Sequence, residues 1–242
     1  MILRQYISDG VTNVLAIAFL VLAIFSFGYA EYFDRLFIAF LVGILIFNAR
    51  NANIVSIALI FLLERSIEEV IFFSSTLPLV KPFIYLASLY LIRVLWYDPF
   101  IKRFVLPSIV LCLVSELYWH ITAYNAPRLH SYIAMLMLNM VTRHLIFMRV
   151  PIFQKLQIRP LWQKQLTTPV TQIPIDLPLY SLAMGYGLVV IAMLGEYLIR
   201  HMTSFSPLVV YDFYPYAMQL LAVATLFFIT HFIIKPDHKI TA

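Results

Sequence analysis

Ile54-Val55-Ser56-Ile57-Ala58-Leu59-Ile60-Phe61-Leu62-Leu63 runs into Glu64-Arg65-Ser66-Ile67-Glu68-Glu69 and leaves through Val70-Ile71-Phe72-Phe73. The flanks read as one membrane-spanning helix, and the middle is a knot of ionisable groups. Each such group at bilayer depth costs roughly 2.5–3.5 kcal/mol on insertion scales, so it persists where it pairs, lines a wet cavity, or works. This knot is therefore the first place to look for function.

The rest of the chain has the same solvent preference. Hydrophobic residues make up 62% and charged residues 12% of the 242 positions, and the mean hydropathy is +0.89. A soluble domain carries about 25% charged residues. A bilayer can use this much apolar surface, whereas a soluble core cannot. Apolar runs fall at about 11–30, 33–49, 54–75, 83–98, 104–124, 131–148, 179–199 and 214–234. A span needs about 20 residues, within roughly 17–25. The reading is an all-α polytopic membrane protein of about eight transmembrane helices, forming a single transmembrane helical domain over 1–242. The second and fourth runs are short, which leaves six or seven spans open. The first run is too long for the h-region of a signal peptide and is read as a retained helix.

Charge supplies an orientation. With eight spans and the N-terminus inside, the inner loops and tails hold Arg4, Arg50, Lys102, Arg103, Arg149, Lys155, Arg159, Lys164, Lys235 and Lys239, and the outer loops hold Arg35, Lys81, Arg128 and Arg200. That asymmetry follows the positive-inside rule and puts both termini in the cytoplasm. It also accounts for the net charge of +5 without nucleic acid, because the cations mark segment ends rather than a groove-binding stripe. Compact size points to a bacterial inner membrane.

Punctuation agrees with these spans. Asn48-Ala49-Arg50-Asn51-Ala52-Asn53 is a polar turn, and Pro78, Pro82, Pro99, Pro107, Pro127, Pro178 and Pro215 sit at or near the expected ends, where proline costs least. The longest polar stretch, about 149–178, is proline-rich and basic. It is expected as a cytoplasmic loop that lies on the membrane surface or docks a protein partner. A homo-oligomer is the other expected assembly, and the lipid bilayer is the common partner of each reading. Close packing is expected on the seventh span, where Ser181, Ala183, Gly185 and Gly187 give small-residue spacing.

Depth counted at about 1.5 Å per residue sorts the polar side chains. Glu64, Arg65 and Arg93 fall near the midplane, Glu68, Glu69 and Glu116 toward the outer half, and Asn139 and Arg143 at central depth. Together they form the expected carboxylate and arginine network. Four acids against three arginines leave one carboxylate that must hold a proton, bind a cation or face water. The favoured function is proton or cation binding, or translocation of an ion or small solute. The same network read structurally is a set of ion pairs that fixes helix packing.

Two other classes stay open. A membrane-anchoring or sensory subunit of a larger complex would work through the 149–178 loop. A metal-assisted intramembrane enzyme would use Glu116 and His120, an i,i+4 pair, with Glu68, since carboxylate and imidazole suit several divalent ions; Glu69 and Glu196 are further candidates. His144 and His231 share the inner side, but no C-x-x-C-H accompanies them, and haem is disfavoured. No lysine falls within a span, which disfavours retinal. G-x-S-x-G, H-E-x-x-H and Walker sequences are lacking, so no catalytic residue is assigned.

Overall fold

The computed structural model describes residues 10–11, 14, 17–19, 21–22, 24–74, 80–124, 129–157 and 169–234. Among the described residues the secondary structure is helical throughout, without strands. The helices are α1 (Ala30–Phe47), α2 (Ala52–Ser74), α3 (Val80–Val94), a π-helical turn (Ile101–Val105) leading into α4 (Leu106–Ile121), α5 (Leu129–Phe147), α6 (Arg149–Gln157), α7 (Asp176–Met202) and α8 (Val209–Ile234). They divide into two compact units.

The first unit takes the chain to Arg65, Leu145–Leu182 and the part of the chain from Pro215 onward. On α1, Phe33, Phe37, Phe40, Leu41 and Ile44 are all buried, the 3.6-residue stripe that a helix presents to a core. Phe19 packs against this stripe, 5.9 Å from the Phe33 ring and 5.0 Å from Phe40. Before α1 the chain turns at Gly28, whose φ of +91° favours glycine. A Cβ there would stand 3.3 Å from the Tyr216 ring.

The polar turn expected at 48–53 is present and caps both of its neighbours. Asn48 Nδ2 donates to the Ile44 carbonyl at 3.2 Å, and Asn51 Oδ1 accepts from the amides of Asn53 and Ile54 at 3.1 and 3.4 Å. Side-chain oxygens of this kind satisfy amides that a helix start leaves open. On α8, Ala222, Leu226, Ile229 and Ile233 form the buried stripe.

The second unit comprises Ser66–His144 and Ala183–Tyr214. Ile92, Ile101, Val105, Ile109, Cys112, Ile133, Leu136, Met140, Val190 and Leu194 belong to its core. Gly187 marks a close approach of α7 to α5, since a Cβ there would meet Met140 Cε at 2.9 Å. Asp98 Oδ1 accepts from the Phe100 amide at 2.9 Å, so Asp98-Pro99 starts the helical stretch in the manner of a capping residue followed by proline. Pro107 then follows the π-helical turn, in which the Leu106 amide bonds the Ile101 carbonyl. Proline has no amide to donate and crowds the carbonyl four residues back, and the wider turn falls on that carbonyl's stretch of chain. Pro215 differs from its expected place at a helix end and lies inside α8.

Among the described residues three helical stretches are long and apolar enough to cross a membrane: Ile101–Ile121, Asp176–Met202 and Val209–Ile233. A fourth is obtained if α5 and α6, broken at Met148, count as one bent span. The other expected runs fall short for identifiable reasons. Helix α1 carries Glu31, Asp34 and Arg35, α2 carries the four ionised groups of the knot, and α3 has 15 residues. Part of the run expected at 11–30 lies outside the described residues. The apolar spans bury little of themselves within the protein: Val110, Leu111, Val114, Leu117 and Ile121 of α4 are all exposed. Such faces are compatible with lipid as their solvent. Over its described residues the chain is all-helical, with three or four candidate membrane spans.

Candidate functional site

Three charged groups of the sequence network, Arg65, Arg143 and Glu116, stand in separate ion pairs. In the first unit Arg65 is 6% exposed and lies 3.7 Å from Asp34, with its guanidinium 5.2 Å from the Phe37 ring centre. Glu64 is buried beside it in the sequence. In the second unit Arg143 pairs with Asp98 at 2.8 Å and stands over the Phe100 ring. Glu116 pairs with Lys81 and accepts from the Tyr85 hydroxyl at 3.3 Å. Asn139 is buried, Glu68 half-buried, and Arg93 and Glu69 are exposed. Asp34, Asp98 and Lys81, the partners, stand at the margins of the apolar runs and not within the knot.

The metal set Glu116, His120 and Glu68 does not gather: among the described residues no three His, Cys, Asp or Glu side chains come within reach of one ion. His120 is exposed. Of the two histidines considered for haem, His144 Nδ1 bonds the Tyr97 hydroxyl and His231 stacks on Phe227 at 5.8 Å. Within the 149–178 stretch, residues 149–157 are helical, 169–176 are held by Arg149, and 158–168, with Arg159 and Lys164, lie outside the described residues.

One carboxylate stands apart from these pairs. Glu196 on α7 is 6% exposed and has no cation within 4 Å among the described residues. Its Oε2 accepts from the Tyr211 amide at 2.9 Å, in the first turn of α8, where a negative charge meets the positive end of the helix dipole. Its Oε1 is buried and accepts no hydrogen bond. A buried carboxylate half-served in this way is costly to keep.

Around Glu196 lies a cavity of about 140 Å³. Met193, Tyr197, Arg200 and His201 line it from α7, Tyr132 from α5 and Tyr211 from α8. Residues 193, 196, 197, 200 and 201 recur at three- and four-residue spacing, so one helix face supplies most of the wall. Aromatic packing fixes that wall. The Tyr197 ring lies 4.3 Å from His201 and 5.2 Å from Tyr132. Buried Trp119 meets Tyr197 and His201 edge-on at 6.4 and 6.1 Å. Behind His201, the Tyr124 hydroxyl bonds Nδ1 at 2.9 Å.

Tyr124 is placed by a strained turn. Helix α4 ends with the Tyr124 amide bonded to the Trp119 carbonyl at 2.9 Å and the Ala123 amide to the His120 carbonyl at 3.4 Å. This is a Schellman closure, whose left-handed position is usually glycine. Here Ala123 occupies it, at φ +52°. Strain of this kind collects where a site needs a fixed geometry.

In the sequence Glu196 stands only as a further metal-ligand candidate, and nothing there singles out Tyr132 or Tyr211. The usable signal was Glu196-Tyr197-x-x-Arg200-His201, opposite charges with aromatic rings on one helix turn. Comparison of the chain with protein-family models, curated proteins and solved structures finds no match.

Proposed function

We propose that this is a multi-pass membrane protein of about eight spans, with both termini on the cytoplasmic side, that binds a small cationic group at Glu196 in the course of ion or small-solute translocation. The observation that carries the reading is the Glu196 carboxylate, which has one buried oxygen without a hydrogen-bond partner and belongs to a side chain that helps line a cavity. A carboxylate in that setting is served by a proton or by a bound cation. The tyrosine rings add the faces to which a cation is attracted.

Calorimetric titration with methylammonium chloride of the protein in lipid nanodiscs tests it. Wild type gives saturable heat, and Glu196→Gln, shown to be folded by circular dichroism, gives none. Wild-type protein without saturable heat, or a folded variant that binds equally well, overturns the reading. In proteoliposomes the same substitution abolishes uptake of labelled methylammonium if binding serves translocation.

A further inference from the structure

Arg200 also lines the cavity, one helical turn beyond Glu196. The two side chains are close in sequence and opposite in charge, yet no ion pair within 4 Å joins them, and among the described residues Arg200 has no carboxylate partner. This sets it apart from Arg65, Arg143 and Arg149, each of which meets an aspartate. The wall thus presents an acid and a base side by side, each with capacity to spare.

We infer that the ligand is a small zwitterion carrying an ammonium and a carboxylate on one short skeleton, as an α-amino acid does. The inference rests on the proposed binding of a cationic group at Glu196 and adds its counter-charge. A bare cation entering beside Arg200 meets repulsion that nothing in the ligand answers. A carboxylate on the same molecule removes that penalty and takes the planar fork of the guanidinium, which suits carboxylates bidentately. The ammonium brings three donors to the Glu196 carboxylate and lies beside the Tyr132 and Tyr197 rings. Positions i and i+4 have Cβ atoms about 5–6 Å apart, so two long side chains there close around charges separated by one or two carbon atoms.

Size sets the skeleton. A protein cavity of about 150 Å³ accepts benzene, and the volume here is about 140 Å³. That is room for a ligand of roughly six non-hydrogen atoms, the size of glycine or alanine.

The experiment is a calorimetric comparison of L-alanine, ethylamine and propionate on the full chain in lipid nanodiscs. Ethylamine is alanine without its carboxylate, and propionate is alanine without its ammonium. L-Alanine is expected to bind at least tenfold tighter than either fragment. Arg200→Gln should bring alanine down to the level of ethylamine while ethylamine binding persists, which shows that the variant's site is folded. Glu196→Gln should weaken alanine and ethylamine together. Alanine no tighter than ethylamine, with ethylamine still dependent on Glu196, overturns the zwitterion and leaves the cation reading standing. Tight alanine binding that survives Arg200→Gln also overturns it. If neither alanine nor ethylamine binds wild type, both readings fall.

Discussion

Arg149 and Asp176 meet through two parallel hydrogen bonds, Nε to Oδ1 at 3.0 Å and Nη2 to Oδ2 at 2.7 Å. The arginine side chain is fully buried, and its other donors are also used. Nη1 reaches Asn53 Oδ1 at 3.0 Å and Ser56 Oγ at 2.9 Å, and Nη2 reaches the Thr171 carbonyl at 2.8 Å. All five guanidinium hydrogens therefore have acceptors. Asp176 in turn accepts from the Ile173 amide at 3.0 Å. One arginine ties together the starts of α2, α6 and α7 and the segment before α7. Removing one partner of a buried pair strands the other charge at about 3–5 kcal/mol. Arg149→Met and Asp176→Leu should each lower unfolding stability by about that amount in mixed micelles. The double variant should recover most of the loss, and a double variant as unstable as the sum of the singles would refute the clamp.

Lys81 and Glu116 make a contrasting pair. The lysine side chain is 44% exposed and the glutamate 17%, so this pair is less enclosed than Arg149 and Asp176 and its two ends are held less firmly. A double-mutant cycle with Lys81→Met and Glu116→Gln should return a coupling of at most about 1 kcal/mol. The same cycle on Arg149 and Asp176 should give several times that value. Equal couplings would mean that burial does not control the strength of these pairs.

What could be read from the sequence, and what could not, follows from the range of the interactions. The turn at 48–53 was legible because asparagine side chains cap helix ends a few residues away. Within the knot, Glu64 and Arg65 are buried whereas Glu69 is exposed, a division that the run of ionisable letters does not show. The partners were not legible: Asp34 lies 31 positions from Arg65 and Asp98 45 positions from Arg143. No helical periodicity links such pairs. Counting depth also favoured residues within spans, whereas Asp98 and Lys81 pair from segment margins. Arg149 was read as a loop cation, since composition cannot distinguish a surface arginine from one enclosed by acceptors. The Glu196 cavity needed Tyr132 and Tyr211 to arrive from other helices, although its α7 wall was printed on a single turn.

The proposed topology places the 203–208 segment outside and the 149–178 stretch inside, on opposite ends of α7. Cys112 is the single cysteine and is buried, so a Cys112→Ala background allows reporters. Ser206 and Gln172 are exposed. An impermeant maleimide added to intact cells should label Ser206→Cys and should label Gln172→Cys only after permeabilisation. Labelling of both from one side would mean that α7 does not cross. The reverse pattern would invert the orientation drawn from the lysines and arginines.

Ala123 offers the most local test of how the site is held. Its φ of +52° is disfavoured for a residue with a Cβ by roughly 1–2 kcal/mol. Glycine would remove that strain but adds unfolded-state entropy of about 0.5–1 kcal/mol. Ala123→Gly should therefore stabilise the protein by up to about 1 kcal/mol, read as a shift of the unfolding transition. The gain should bring looser support for Tyr124, and through its hydroxyl for His201 at 2.9 Å. The expected signature is higher stability with weaker ligand binding, since the alanine holds the turn in fewer conformations. If Ala123→Gly raises stability and leaves binding unchanged, the strained turn plays no part in shaping the cavity. If it lowers stability, the Schellman closure does not carry the strain assigned to it.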